Sequence, residues 1–502
     1  MRRLLALALF AALAAAPAHA AGPMVSIDTG ALSGSSDGQV DVYKGIPYAA
    51  PPVGPLRWMP TAPAVKWTGT RDATQFGAIC PQPARGDGAM AMGFGQTQSE
   101  DCLFLNVFAP HDARNAPVMV WIHGGAHRFG ASSGPIYDGS AFARDGVILV
   151  SINYRLGLLG YFAHPALTRA AAADAPLGDY GQMDQIAALK WVQRNIAAFG
   201  GDPHNVTVFG ESAGGSSILY LLATPSAKGL FAKAIVESGG GWSRHDTLAD
   251  KENEGADFAT RAGLPGANAT LEQLRALPVE KTFDIPAKLG FGPFADGRLI
   301  PLTPAQAFAR GAALDVPLII GSNSFEASLM KSFQIPPAFM TAQLTPETRA
   351  LYGADAHDEE ALAEAVFTDA IMGAPAHWVA GKAAGGAPSW LYHFSYVVSM
   401  RRSATPGAAH GSEIPYAFGT GSALAERFGI RLTDEDRAME TALHACWVAF
   451  AKTGKPACGG VDWPAYSAAS DQLLEFGPKI EVVSGFRKAQ YGALETALKP
   501  GR

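Results

Sequence analysis

The sequence predicts an α/β fold, a central and mostly parallel sheet flanked by helices and carrying helical, lid-like insertions. Short β-branched and aromatic runs alternate with helical segments through the first half of the 502-residue chain. Runs such as Val118–Ile122 and, but for Ser151, Val147–Ile152 are apolar, as strands buried on both faces tend to be. Gln182–Phe199 carries Met183, Ile186, Ala187, Trp191 and Ile196 near helical spacing. Alternation of buried strands with such helices implies parallel pairing with both faces covered.

In chain order, Val25–Gly34 and Val40–Gly45 read as an antiparallel hairpin joined to the edge of the sheet. Strands are predicted at 118–122, 147–152, 206–209, 232–236 and 317–320, with helices at 182–199 and 216–223. From about Asp246 to Ala313, and again from Pro336 to Ala387, the chain is helical, Ala-rich and weakly patterned. Insertions of this kind are read here as lids over a site, with packing against the core as the alternative.

The N-terminus has the pattern of an export signal. Arg2 and Arg3 precede an uncharged apolar run, Leu4–Ala16, and Ala18-His19-Ala20 supplies a small-x-small cleavage pattern. The run is too short for the ~20 apolar residues of a membrane span, so residues 1–20 are expected to be removed and the protein to act in the periplasm or outside the cell. Loss of two arginines leaves 37 basic against 45 acidic residues, a net charge of −8. That balance argues against nucleic acid or an anionic membrane as a main partner. With 48% hydrophobic and 17% charged residues, the chain can bury a large core without help. Four cysteines suit an oxidising compartment. Cys80 and Cys102 flank a Gly-, Ala- and Met-rich loop that a bridge would restrain, and Cys446 and Cys458 are near enough in sequence to pair as well.

G-x-S-x-G occurs at least three times, so context must choose among the copies. Gly34–Gly38 joins two predicted strands, and Gly130–Gly134 lies in a loop with no helix behind it. Only Gly210-Glu-Ser-Ala-Gly214 stands between a buried strand and a helix, the setting of the nucleophile elbow of an α/β-hydrolase. Ser212 is therefore the expected nucleophile. Attack on an ester builds an oxyanion, and His123-Gly-Gly-Ala126 follows a strand where backbone donors are needed; Gly125, Ala126 and Ala213 are assigned as those donors. His410, in a loop late in the chain, suits the Ser–acid–His order of this fold as the base. His393 in a predicted strand and His444 on a helix read as packing residues, while His123 and His127 belong to the oxyanion loop. For the acid, position favours Glu326 and leaves Glu237 as a rival, each lying just beyond a strand.

With these residues in place the sequence resembles the type B carboxylesterases, the family of para-nitrobenzyl esterases and cholinesterases. The resemblance runs through Gly45–Pro52, Ser99–Val107, Trp121–Ala126, Ala197–Pro203, Phe209–Gly215, Gly321–Glu326, His410–Tyr416 and Trp463–Tyr466, nearly the whole of residues 21–502. It implies a single α/β-hydrolase domain and a triad of Ser212, Glu326 and His410, deciding the acid in favour of Glu326. It also implies a Cys80–Cys102 disulfide, oxyanion donors at Gly125, Ala126 and Ala213, and support of the triad by Ser238, for which capping of a strand-to-loop turn is the alternative. No metal or organic cofactor is implied. Three positions depart from the family pattern: Phe325 and Ala327 stand where an Asp and a Gly usually flank the acid, and His127 stands where an aromatic usually follows the oxyanion glycines, which is expected to make the acyl pocket more polar. The loop between Cys80 and Cys102 has no Trp for cation–π binding of a choline ester. The expected activity is hydrolysis of a small carboxylic ester by a secreted serine carboxylesterase. The rivals are a lactonase, amidase or polyester hydrolase using the same triad, and a non-catalytic binding or adhesion protein on the same fold.

Overall fold

The computed structural model describes residues 22–83, 96–242, 246–284, 291–427 and 429–501. The expected export signal lies outside them, as does most of the loop between Cys80 and Cys102. In chain order the strands are β1 (Met24–Ile27), β2 (Gly30–Ser33), β3 (Ser35–Ser36), β4 (Val40–Pro47), β5 (Thr70–Asp72), β6 (Phe104–Pro110) and β7 (Ala116–Ile122). They continue with β8 (Ile148–Ile152), β9 (Gly201–Glu211), β10 (Lys233–Glu237), β11 (Leu318–Asn323), β12 (Ser389–Phe394), β13 (Gln472–Phe476) and β14 (Ile480–Ser484). Eleven of them form one sheet in the order β14-β13-β12-β11-β10-β9-β7-β8-β6-β4-β3. From β13 across to β8 every neighbouring pair is parallel, and the outer pairs are antiparallel.

The N-terminal reading needs one correction. Val25–Gly34 does not pair with Val40–Gly45; it folds back on itself as β1 and β2 and joins β5 in a separate three-stranded sheet. The pattern of a strand carries no information about its partner, and Asp28-Thr29, between the paired Ile27 and Gly30, supplies a turn that the apolar spacing concealed. β4 does reach the edge of the large sheet, pairing antiparallel with β6.

Side chains alternate across the pleat, so each central strand feeds two cores. Val118, Val120 and Ile122 of β7, Ala234 and Val236 of β10, and Leu318 and Ile320 of β11 face one core with the helices Tyr180–Asn195 and Ala213–Leu222. Met119, Trp121, Ile235 and Ile319 face the other, with the helix Asp434–Thr453. Trp121 is fully buried there among Tyr137, Phe209 and Phe418; its loss would cost about 3–5 kcal/mol. Disulfides join Cys80 to Cys102 and Cys446 to Cys458. The second ties a buried position in the C-terminal half of the helix Asp434–Thr453 to the turn that follows it.

The second insertion packs against the core and beside the acid loop. The helix Ala374–Ala383 buries Ala376, Trp378, Val379 and Ala380 in the first core, so this part of the second insertion covers the sheet itself. Ala363 and Phe367 of the preceding helix pack on Ala327 and Met330, just beyond Glu326. No helix among the described residues is long and apolar enough to cross a membrane.

Candidate active site

Four neighbouring parallel strands, β11, β10, β9 and β7, end at the same edge of the sheet. Register places Glu237 opposite both Glu211 and Gly321, and Ile122 opposite Gly210. The segments leaving these strand ends carry Glu326, Ser238, Ser212 and the His123–Ala126 loop. In α/β sheets the carboxyl ends of the strands are where reactive groups gather.

At β9 the chain turns sharply into the helix Ala213–Leu222. Ser212 is held at φ +56°, ψ −122°, its N–H donating to Glu237 O at 2.8 Å. A turn this tight needs glycine on both sides: a Cβ on Gly210 would lie 2.5 Å, and one on Gly214 1.9 Å, from the Ile122 carbonyl oxygen. Ser212 is partly exposed, whereas Glu326 and Ser238 are fully buried beneath it.

Glu326 meets His410 side on, with Oε2 2.5 Å from Nδ1. Its Oε1 accepts from Ser238 Oγ at 2.5 Å and from the Asn323 N–H at 2.7 Å. The backbone bridge between Phe325 and Ala409 seats the acid loop against the His410 loop, and the His410 N–H donates to Ser328 Oγ at 3.0 Å. The sequence alternative, Glu237, accepts from Trp447 Nε1 at 2.8 Å and has no contact with His410.

His410 Nε2 lies 2.9 Å from Glu211 Oε1, close but off the hydrogen-bond axis, and the Ser212 hydroxyl makes no hydrogen bond among the described residues. Sequence reasoning did not single out Glu211, although it stands next to the nucleophile in Gly210–Gly214. Burial alone would lower the His410 pKa, but the carboxylates of Glu211 and Glu326 outweigh it and hold the imidazole well above its ordinary range. Two further carboxylates lie beneath the site. Burial pushes Glu237 up to about 8 against the pull of the Trp447 indole, with Glu211 adding to the rise. Burial and the neighbouring Glu211, Glu237 and Glu326 push Glu413 well above the carboxylate range. Glu237 therefore keeps its proton at neutral pH, and the shift of Glu413 in the same direction likewise disfavours an uncompensated charge on the floor of the site.

The amides of Gly125 and Ala126 have no partner among the described residues, and Ala213 N–H opens the first turn of its helix, where no intrahelical acceptor exists. Gly125 is at φ +104° and Ala126 at φ +56°. His127 does not line an open pocket, contrary to the expectation of a more polar acyl site; its ring is buried between Ser217 Oγ (3.0 Å) and the Phe291 carbonyl (3.1 Å). His123 keeps Nδ1 on the Gly124 carbonyl, His393 packs against Phe486, and His444 binds the Ala417 carbonyl. None of these three faces Ser212.

The arrangement offers a strained, partly exposed hydroxyl, an imidazole anchored by a buried carboxylate, and free amide donors in a glycine loop and at a helix start. The profile of the carboxylesterase family matches residues 21–494. The chain is 38% identical over 486 residues to the para-nitrobenzyl esterase of Bacillus subtilis (strain 168), covering 91% of this chain and 96% of that protein. It is 36% identical over 484 residues to the fumonisin B1 esterase of Sphingopyxis macrogoltabida, covering 90% and 86%. A solved PNB esterase superposes with a TM-score of 0.80 at 36% identity, covering 94% of this chain and 99% of that one. Agreement of sequence and fold over almost the full length places this chain in the carboxylesterase family, as a carboxylic ester hydrolase on an α/β-hydrolase fold.

Proposed function

We propose that the protein is a secreted serine carboxylesterase that cleaves small carboxylic esters through an acyl-enzyme on Ser212, with residues 21–502 as its single catalytic domain. The observation that supports this reading is that Ser212, the His410–Glu326 pair and the unpartnered Gly125 and Ala126 amides lie on segments leaving one edge of the sheet.

Neutral His410, keeping its Nδ1 proton on Glu326, takes the Ser212 proton at Nε2 as Oγ attacks the ester carbonyl. The carbonyl π electrons move to oxygen, and the amides of Gly125, Ala126 and Ala213 receive that charge. Collapse of the tetrahedral intermediate breaks the bond to the alcohol, which leaves with the proton from His410. Water, deprotonated by the same imidazole, then attacks the acyl-enzyme, and the acid departs with Ser212 restored. Ser238 and the Asn323 amide hold Glu326 in place, so the carboxylate stabilises the imidazolium without moving. Hydrogen bonds of this kind commonly tighten only with substrate bound, which accounts for a Ser212 hydroxyl not yet engaged.

Export rests on the N-terminal segment and agrees with two disulfides, which persist in oxidising compartments. The para-nitrobenzyl esterase likeness supports compact aryl and benzyl esters as first substrates. The test is hydrolysis of short- and medium-chain p-nitrophenyl esters by the wild type and Ser212→Ala, with folding checked by circular dichroism. A loss of several orders of magnitude in kcat on the substitution is expected. A folded wild type inactive on both esters would shift the reading to the non-catalytic alternative. N-terminal sequencing of protein recovered outside the cytoplasm should begin at Ala21.

A further inference from the structure

Ala126 and His127 are consecutive residues with side chains, and both are held at φ +56°. L-residues avoid this left-handed region, so two in a row persist only where the surroundings over-determine them. Backbone bonds supply part of the hold. The Gly125 carbonyl accepts from the N–H groups of Arg128 and Phe129, both at 3.0 Å, and the His127 carbonyl accepts from Gly157 N–H at 2.7 Å. The rest comes from the His127 ring.

Its two direct hydrogen bonds, to the Phe291 carbonyl and the Ser217 hydroxyl, favour one proton arrangement over the alternative in which Nε2 donates toward the Ala213 carbonyl that also approaches the ring. The Phe291 carbonyl can only accept, so Nδ1, 3.1 Å away, must carry the proton. Nε2 of the neutral ring is then a bare acceptor, and the Ser217 hydroxyl at 3.0 Å donates to it. Ser217 Oγ in turn accepts from Gln185 Nε2 at 3.0 Å, and Gln182 Nε2 donates to the Ser217 carbonyl at 3.1 Å. Ser217 sits on the helix that begins with Ala213. The ring therefore joins the two separate parts of the oxyanion site, the loop bearing Gly125 and Ala126 and the helix bearing Ala213. Segment 291–294 closes over the ring, and a Cβ on Gly292 would lie 2.3 Å from Nδ1. Burial pushes His127 down to about 4, so the ring stays neutral across the neutral range.

We propose that His127 is a positioning residue, a neutral imidazole protonated on Nδ1 that sets the spacing of the loop donors against the helix donor. The inference rests on the oxyanion roles assigned under the proposed mechanism. His127→Phe keeps a ring and removes both hydrogen bonds; Ser217→Ala removes the Nε2 partner without touching the loop. Both should lower kcat on p-nitrophenyl butyrate about 10- to 100-fold, the scale of a small misplacement at a reacting centre, with KM nearly unchanged. The double variant should be no slower than His127→Phe alone, since both break one link. In protein labelled with 15N-histidine, the resonance missing from His127→Phe should report a proton on Nδ1 and none on Nε2. Wild-type kcat in either folded variant, a change confined to KM, or a proton on Nε2 would overturn the proposal. Should His127→Phe fail to fold, Ser217→Ala supplies the kinetic test, and comparison of its histidine spectrum with the wild type identifies the ring. Full activity of Ser212→Ala would instead remove the reading on which the inference stands.

Discussion

Replacing Glu326 by glutamine keeps the shape of the side chain and removes its charge, and the surroundings dictate how the new amide lies. At Oε1 the Asn323 backbone N–H, 2.7 Å away, can only donate, whereas Ser238 Oγ at 2.5 Å can rotate to donate or accept. The amide must therefore keep its oxygen toward Asn323; the flipped form would set NH₂ against a buried N–H, at a cost of about 2–3 kcal/mol. At 1.4 kcal/mol per tenfold, the flip is populated at roughly 1–4%. In the dominant form NH₂ faces His410 Nδ1, now 2.5 Å from Oε2, and forces that nitrogen to accept. The ring proton moves to Nε2, where it blocks uptake of the Ser212 proton, and the imidazolium loses its countercharge. Together these should lower kcat by about 10⁴. The assay is steady-state hydrolysis of p-nitrophenyl butyrate at saturation, with thermal melting followed by circular dichroism to establish the fold. A folded Glu326→Gln enzyme within tenfold of the wild type would refute the assignment of the acid.

Because the two flanking carboxylates raise His410, neutral base appears only as pH climbs past the ordinary imidazole value of 6.5. The pH profile of kcat/KM should rise through that alkaline-shifted window, and Glu211→Gln should move the rise to lower pH; an unmoved profile would dismiss Glu211 as the cause. His123, His127 and His393 are buried and held near 4, against 6.5 when unfolded. At these three positions the unfolded chain binds more protons than the folded one between those values, so the share of stability they carry should fall as pH drops from about 6.5 toward 4. Glu237, raised to about 8, instead carries a share that grows over the same fall. Each histidine contributes roughly 1.4 kcal/mol per pH unit at the steepest, and denaturant melts in which His393→Phe leaves the stability difference between pH 7 and pH 5 unchanged would contradict it. Removing the Cys446–Cys458 bridge, whose partners are 12 residues apart, should cost about 3 kcal/mol from loop-closure entropy. Urea denaturation of the double alanine variant measures this loss, and an unchanged midpoint would show the bridge to be energetically idle.

Much of the α/β-hydrolase fold was legible in the sequence because buried strands and amphipathic helices have distinct periods. The run Val118–Ile122 could be little else than a central strand, and Gly210–Gly214 stood apart from its two lookalikes through the strand before it and the helix after it. Chain order carried the search for the base as far as His410. The N-terminal hairpin went astray for the complementary reason: an alternating strand tells which face is buried and leaves its partner open, so β1 and β2 left the large sheet without any change of pattern.

What a linear reading determines about this protein is which residue types stand at the strand ends, because local spacing alone decides strand, turn and helix there. Only the tertiary structure decides which of those residues meet. Glu237 ends one strand and Glu326 follows another, and their separation came from three-dimensional contacts, Trp447 claiming one and His410 with Ser238 the other. Glu211 beside His410, and the His127 ring between Ser217 and Phe291, join residues 90 to 199 positions apart. Such contacts depend on register and on the packing of distant loops, which leave no periodic trace in the chain. The pKa values of the site follow from the same cause, since burial and neighbouring charge exist only once the fold has formed.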